Sequence, residues 1–179
     1  MKTLIVVPAR YGSTRFPGKP LTLIAGQSMV SRVATMAAKA AAALEDAAHV
    51  VATDDARIEA HCRERDIPVV LTDPALPSGS DRALAAADAL GVLPQVVVNL
   101  QGDSPFTPPA HIIAVAEAVL TSGTDAATPY VRLTWDALDD LRAHKLETPF
   151  SGTTLTHDTE GRALWFSKII LPAMRKEAA

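Results

Sequence analysis

Cysteine is almost absent from this 179-residue sequence, where Cys62 stands alone. One thiol excludes an internal disulfide framework and a cysteine-ligated zinc cluster, and it suits a reducing cytoplasm. Long apolar runs are also missing: none approaches the ~20 residues that a membrane-spanning helix needs. The N-terminus lacks the apolar core of a secretion signal, because Thr3–Val7 runs directly into Pro8-Ala9-Arg10. No internal repeat, low-complexity linker or domain boundary stands out. The five histidines, His49, His61, His111, His144 and His157, never pair at metal-ligand spacing on one face. Carboxylates are missing from the first quarter of the chain, since none precedes Glu45. These absences predict a cytoplasmic, soluble, single-domain protein that makes no use of a membrane.

What is present supports a sizeable core. The chain is 48% hydrophobic and 21% charged, and a domain of this size buries about 70% of its unfolded surface without metal or disulfide staples. The net charge of -3 argues against nucleic acid as a partner. That charge is unevenly spread, because Lys2, Arg10, Arg15, Lys19, Arg32 and Lys39 fill the stretch that has no acids. Arg10, Arg15 and Lys19 share a short segment with Gly12 and Gly18. A local positive field on an acidic protein predicts capture of a small anion rather than a polyanion.

Apolar, β-rich runs at Thr3–Val7, His49–Ala52, Pro68–Leu71 and Gln95–Leu100 read as buried strands. Helical spacing appears between them: Met29 to Leu44, roughly 55 to 65, from near Ser80 to Leu90, and after Thr107-Pro108-Pro109. Residues 8 to 28, rich in Pro, Gly, Ser and Thr, predict a long ordered loop. Strand and helix alternating four times is the signature of a mostly parallel α/β sheet, Rossmann-like, with helices on both faces. The last third predicts antiparallel additions: a strand at Ala126–Leu133, a short acidic helix over 135–143, and strands at Thr153–His157 and Ala163–Ser167 around a turn at Asp158–Gly161. Cys62 reads as a packing residue. Trp165 and Phe166 could border a ligand, although one side of an alternating strand is more simply core.

Ligands bind outside the carboxyl ends of the strands in such a sheet, and the polar clusters fall there. The first strand leads into Pro8–Pro20, the second into Ala52–Asp55, the third into Ser78–Arg82, and the fourth into Gln101-Gly102-Asp103. The first loop has neither G-x-G-x-x-G nor the P-loop spacing. It can still wrap a triphosphate with backbone N–H groups, while Arg10, Arg15 and Lys19 add charge. Asp103, at the tip of the most apolar strand, suits Mg²⁺, which takes one or two carboxylates plus substrate phosphates. Asp54 can cap the following helix and also faces this rim.

The run from Pro8 to Leu21 resembles the opening signature of the 3-deoxy-manno-octulosonate (Kdo) cytidylyltransferases, in the nucleotide-diphospho-sugar transferase (GT-A-like) superfamily. Val51–Asp54, Ser78–Arg82, Val98–Asp103 and Ala163–Lys168, with Pro172 following, continue the likeness in the family's order. The Arg-Tyr-Gly-Ser-Thr-Arg form is closer to the Kdo branch than to the sialic acid branch. The resemblance implies Mg²⁺-dependent transfer of CMP from CTP to the anomeric hydroxyl of Kdo, an acidic sugar, with release of pyrophosphate, for lipopolysaccharide precursors. It implies Arg10 and Lys19 on the triphosphate, and Ala9, Ser78, Gly79 and Arg82 around cytosine and ribose. Gln101 would face the sugar, Asp103 would hold the metal, and Lys19, Gln101 and Asp103 would be the catalytic group.

Three departures stand against the family pattern. Ser104 replaces a glutamate before Pro105, and Thr148–Thr154 lacks the family's Asn-Pro-Asn-x-Val-Lys lysine. The third is that family members continue beyond Ala179 through a tyrosine-rich segment. That segment carries a second metal-binding Asp and dimer contacts, so the chain is C-terminally short and the homodimer is an expectation for the full-length family. Two other readings stay open: a CMP transferase for sialic acid or another acidic sugar, and a CTP-binding domain without turnover.

Overall fold

The computed structural model describes residues 1–12 and 16–171, and Arg15 and Pro172 therefore lie outside the described residues. The chain divides into two compact units, Met1–Pro129 and Tyr130–Ala179.

In the first unit the elements follow in order: β1 (Thr3–Ala9), a 3-10 turn (Lys19–Leu21), β2 (Leu23–Ile24), β3 (Gln27–Ser28), α1 (Met29–Ala43), β4 (Ala47–Thr53), α2 (Ala56–Arg63), β5 (Val69–Leu71), α3 (Gly79–Leu90), β6 (Val96–Asn99) and α4 (Pro109–Ser122). β5, β4, β1 and β6 lie side by side in that order, and every neighbouring pair is parallel. The long loop expected over residues 8–28 is more structured than its composition suggests. β1 runs on to Ala9, and the 3-10 turn and the short β2–β3 hairpin order the segment from Lys19 to Ser28. Positive φ at Ala25 and Gly26 gives the twist that closes a two-residue hairpin.

Alternation in β1 builds the two layers. Ile5, Val7 and Ala9 face a core with Val30, Val33, Ala34, Ala37 and Ala40 of α1, Ile58 and Cys62 of α2, and Ile112 and Ala116 of α4. Leu4 and Val6 point the other way, with Val50 and Ala52, against Ala83, Ala86 and Ala87 of α3. Helices cover both faces of the sheet, as the strand–helix alternation predicts. Alanine at these contacts lets helix backbones lie close to the strands. Burial pushes the Cys62 thiol up to about 11, in keeping with an inert packing residue.

Ser28 caps the start of α1, its Oγ accepting the Ser31 backbone N–H. His61 of α2 places Nε2 2.7 Å from Ser28 Oγ and 3.2 Å from Ser31 Oγ. Burial holds His61 below the ordinary 6.5, and the nearby Arg65 charge adds to this. Burial also lowers His49. Both histidines are harder to protonate in the folded chain, so the unfolded chain takes up protons first. Stability is therefore complete above about pH 6.5 and declines as pH falls through that value toward the depressed folded pKa values. Urea midpoints should be lower at about pH 5.5 than at about 7.5, and a His49→Gln/His61→Gln variant should lose most of the difference. Equal midpoints in the unsubstituted chain would contradict this.

The second unit holds α5 (Trp135–Glu147) and an antiparallel hairpin of β7 (Thr154–His157) and β8 (Ala163–Ser167). The hairpin and its Asp158–Gly161 turn match expectation. Asp158 secures that turn by accepting the Glu160 and Arg162 backbone N–H groups. The acidic helix runs on to Glu147, past the expected end. The strand expected at Ala126–Leu133 is absent, and that stretch is irregular. Val131 and Leu133 have β propensity, but propensity becomes a strand only beside a pairing neighbour, and Pro129 has no N–H to give a ladder. Trp165 and Phe166 are exposed, at 65% and 49%, so neither is core here. No described residue of this unit is buried.

No helix among the described residues is long and apolar enough to cross a membrane.

Candidate active site at the sheet rim

Parallel pairing brings four loops to one edge. Ala9 lies opposite Thr53, Thr53 opposite Leu71, and Val6 opposite Asn99. The strands therefore release Arg10, Asp54, Thr72 and Leu100 on the same side. The connection from β1 leaves toward β4, while β6 pairs with the other edge of β1. The β1–β6 boundary is thus the place where strand order reverses, and crevices form at such switch points.

Lys19 and Asp103 meet at this boundary. Lys19 Nζ lies 2.8 Å from Asp103 Oδ2, although 84 residues separate them. Their side chains are 36% and 54% exposed, so both stay within reach of a ligand. Two local features bring them together. Gly18, with φ 73°, turns the first loop into the Lys19–Leu21 turn, and the Tyr11 ring packs against its α-carbon side. At Gly102 a Cβ would sit 2.2 Å from the Pro8 carbonyl oxygen. Only glycine lets the β6 loop lie so close to the end of β1.

Around this pair stand most of the other expected residues. Ala9 ends β1 with its side chain buried, leaving backbone as its means of contact. Arg10 donates from Nη2 to the Leu76 carbonyl oxygen and so ties the first loop to the loop after β5. Gly79 lies with a Cβ position 3.7 Å from Pro8 and 3.8 Å from Asn99. Ser78 caps α3: its Oγ accepts the Asp81 N–H and donates to Asp81 Oδ2. Gln101 reaches Asn99 Oδ1 at 3.4 Å, and Asn99 donates to Ser80 Oγ. Beside Asp103 opens a cavity of about 430 Å³, walled by Ser104, Phe106, His111 and Pro129 among others. Ser104, where the resemblance implies a carboxylate, leaves Asp103 as the one acidic group of that wall among the described residues.

Two residues stand differently from expectation. Arg82 has no exposed surface, so its side chain is not placed to line cytosine and ribose directly, as the resemblance implies. Its Nη2 donates to Asp54 Oδ2 at 2.8 Å, and Nη1 donates to Thr72 Oγ1. Burial lowers the Arg82 pKa, and the Asp54 charge offsets this only in part. Asp54 does not cap α2. Asp55 does, accepting the Arg57 N–H at 2.9 Å, and its carboxyl is held below the usual range by the Arg57 side chain. That arrangement carries Arg57 over the Tyr11 ring, 3.3 Å from its centroid, and steadies the first loop. Nothing in the sequence marks this stack beyond the Asp54-Asp55 doublet, whose two carboxylates point to different partners.

Among the described residues no three His, Cys, Asp or Glu side chains converge as a metal cage. Asp103 offers a single carboxylate. This donor set suits a hard cation that takes its other ligands from phosphate oxygens and water, as Mg²⁺ does, and not a metal held wholly by protein.

Comparison with known proteins agrees with the geometry. A family model described as cytidylyltransferase matches residues 4–179. A 3-deoxy-manno-octulosonate cytidylyltransferase of Maricaulis maris is 42% identical over 98% of this chain and 67% of its own length. One of the same name from Pseudomonas syringae pv. tomato is 42% identical over 98% of this chain and 65% of its own. The chain thus spans about two thirds of the length of these curated relatives. A solved CMP:2-keto-3-deoxy-manno-octonic acid synthetase, complexed with CTP, superimposes with a TM-score of 0.78 over 98% of this chain and 67% of its own, at 28% identity. A nucleotidyl transferase of Methanothermobacter thermautotroptrophicus, at 20% identity and a TM-score of 0.52, shares the fold. The chain belongs to the cytidylyltransferase family.

Proposed function

We propose that this chain carries the nucleotide-handling machinery of a 3-deoxy-manno-octulosonate cytidylyltransferase. The reaction moves CMP from CTP to the anomeric hydroxyl of Kdo, releases pyrophosphate, and supplies lipopolysaccharide precursors in the cytoplasm. The observation that carries this reading is the Lys19–Asp103 pair at the switch point, where a cation for the triphosphate and a carboxylate for Mg²⁺ stand side by side. The names of the relatives supply the sugar.

Joining two anions crowds negative charge at the α-phosphorus, so positioning and cationic contacts dominate the catalysis. Lys19 neutralises phosphate oxygens as a movable point charge, and Arg10 adds a planar fork of donors. Ala9, Ser78 and Gly79 line the nucleoside side of the crevice with backbone. Gln101, near the open depression beside Asp103 though not part of its wall, would turn its amide from Asn99 to the acceptor sugar. Asp103 would hold Mg²⁺, which when bound supplies Lewis acidity at the α-phosphate and orients the attacking hydroxyl.

The test measures CTP binding and pyrophosphate release with Kdo, with sialic acid as the competing acceptor. Lys19→Ala should weaken CTP binding by about 10- to 100-fold, the loss of one charge-assisted contact of ~1.5–3 kcal/mol. Unchanged affinity would remove Lys19 from the site. CTP binding without turnover of either sugar would leave a nucleotide-binding module.

A further inference from the structure

We propose that Asp54 is a positioning residue for the nucleoside half of the site, acting through the buried Arg82 and Thr72. This rests on the cytidylyltransferase reading above, which assigns no role to Asp54.

Arg82 joins three segments that the sequence keeps apart. It sits in the first turn of α3, bonds Asp54 just beyond β4, and bonds Thr72 just beyond β5. Thr72 is in turn fixed to β4, since its N–H and its Oγ1 both donate to the Thr53 carbonyl oxygen, at 2.8 and 3.2 Å. Residues 72–82 therefore form a loop and helix start closed at both ends by one guanidinium. Ser78, Gly79 and Ser80 lie within that closure, beside Pro8 and Asn99. With no exposed surface, Arg82 reaches a nucleotide only through the backbone it holds.

The closure depends on Asp54. A buried guanidinium needs a counter-charge, and Asp54 is its ion-pair partner, with a side chain 15% exposed. Arg82 Nε–H has no partner of its own, so two bonds carry the whole attachment. Losing Asp54 leaves the buried cation held by one hydroxyl, and the 72–82 segment loses its fixed end.

The phosphate half of the site rests on Lys19 and Asp103, which stand outside this closure; of the phosphate residues only Arg10 touches it, through the Leu76 carbonyl oxygen. The two halves can thus be read separately with CTP and with inorganic tripolyphosphate. Asp54→Asn and Thr72→Val should each weaken CTP binding by about tenfold or more, as misplacement of a binding group does. Tripolyphosphate affinity should fall by less, because Lys19 and Asp103 keep their contact and only Arg10 is tied to the segment. CTP affinity unchanged within twofold, or equal weakening of both ligands, overturns the proposal.

An Asp54→Leu/Arg82→Met variant covers the case in which Asp54→Asn fails to fold, because replacing a buried ion pair by apolar groups is often neutral for stability. It should recover the melting temperature but keep the depressed ratio of CTP to tripolyphosphate affinity. Recovery of both would make the pair merely structural. In the chain without nucleotide, the backbone amides of residues 72–82 should exchange faster in Asp54→Asn or Thr72→Val, while those of β1 hold. Unchanged exchange in 72–82 also overturns the proposal. If the unsubstituted chain binds no CTP, the functional reading fails, and the exchange measurement still decides the role of Asp54.

Discussion

Asp103→Asn should abolish the Mg²⁺-dependent part of CTP stabilisation and reduce pyrophosphate release by about 100-fold or more, the scale of losing a principal electrostatic contact to the transition state. Among the described residues no three His, Cys, Asp or Glu side chains converge as an alternative metal site. The amide keeps the shape but loses the charge that binds a hard cation. Folding should be spared, because Asp103 is over half exposed and its partner Lys19 is accessible. An exposed pair contributes only about 0–1 kcal/mol. The substitution also frees Lys19, so metal-free binding of tripolyphosphate should be equal or tighter. Melting curves with CTP, with and without Mg²⁺, read the first effect directly. A response to Mg²⁺ like that of the unsubstituted chain would place the metal carboxylate elsewhere.

Gly102→Ala should damage both the fold and the activity, for a reason that involves no charge. The added methyl would lie 2.2 Å from the Pro8 carbonyl oxygen and 3.7 Å from the Ala9 α-carbon. The first separation is far inside van der Waals contact. The obstacle is backbone, so no side chain can swing aside. β1 is hydrogen-bonded on both edges, to β4 and to β6, and the strain falls on the Gln101–Asp103 loop. Forced overpacking typically costs about 1–3 kcal/mol, or roughly 2–12 °C in melting temperature for a chain of this size. Displacing that loop also moves Asp103 from Lys19, so pyrophosphate release should fall more than the loss of folded protein accounts for. A variant that melts and turns over like the unsubstituted chain would show that the β1 and β6 loops can separate freely.

The central strands and the helices around them were legible because their signals are local. The apolar runs at Thr3–Val7 and Gln95–Leu100 and the period of Met29, Val33, Met36, Ala37, Ala40 and Leu44 each suit one kind of element. The loops of the site were legible for a related reason: glycines and cations cluster in sequence, and parallel strands place such clusters at one rim. Less local features were not. Ala126–Leu133 has strand-like residues but no strand to pair with. Trp165 and Phe166 alternate as a core strand would, yet both lie on the surface of a two-stranded hairpin.

The amino-acid order by itself determined that a cationic glycine-bearing loop follows the first strand, and that a carboxylate closes the most apolar one. Spacing and hydrophobic period fix such features, since each depends on a residue's immediate neighbours. Tertiary structure alone decided that Lys19 touches Asp103 across 84 residues, that Gly102 presses on Pro8, and that Arg82 turns inward to Asp54 while Asp55 takes the helix cap. Those outcomes depend on strand order and on the cost of leaving a buried charge unpaired, and both arise only when distant segments pack together.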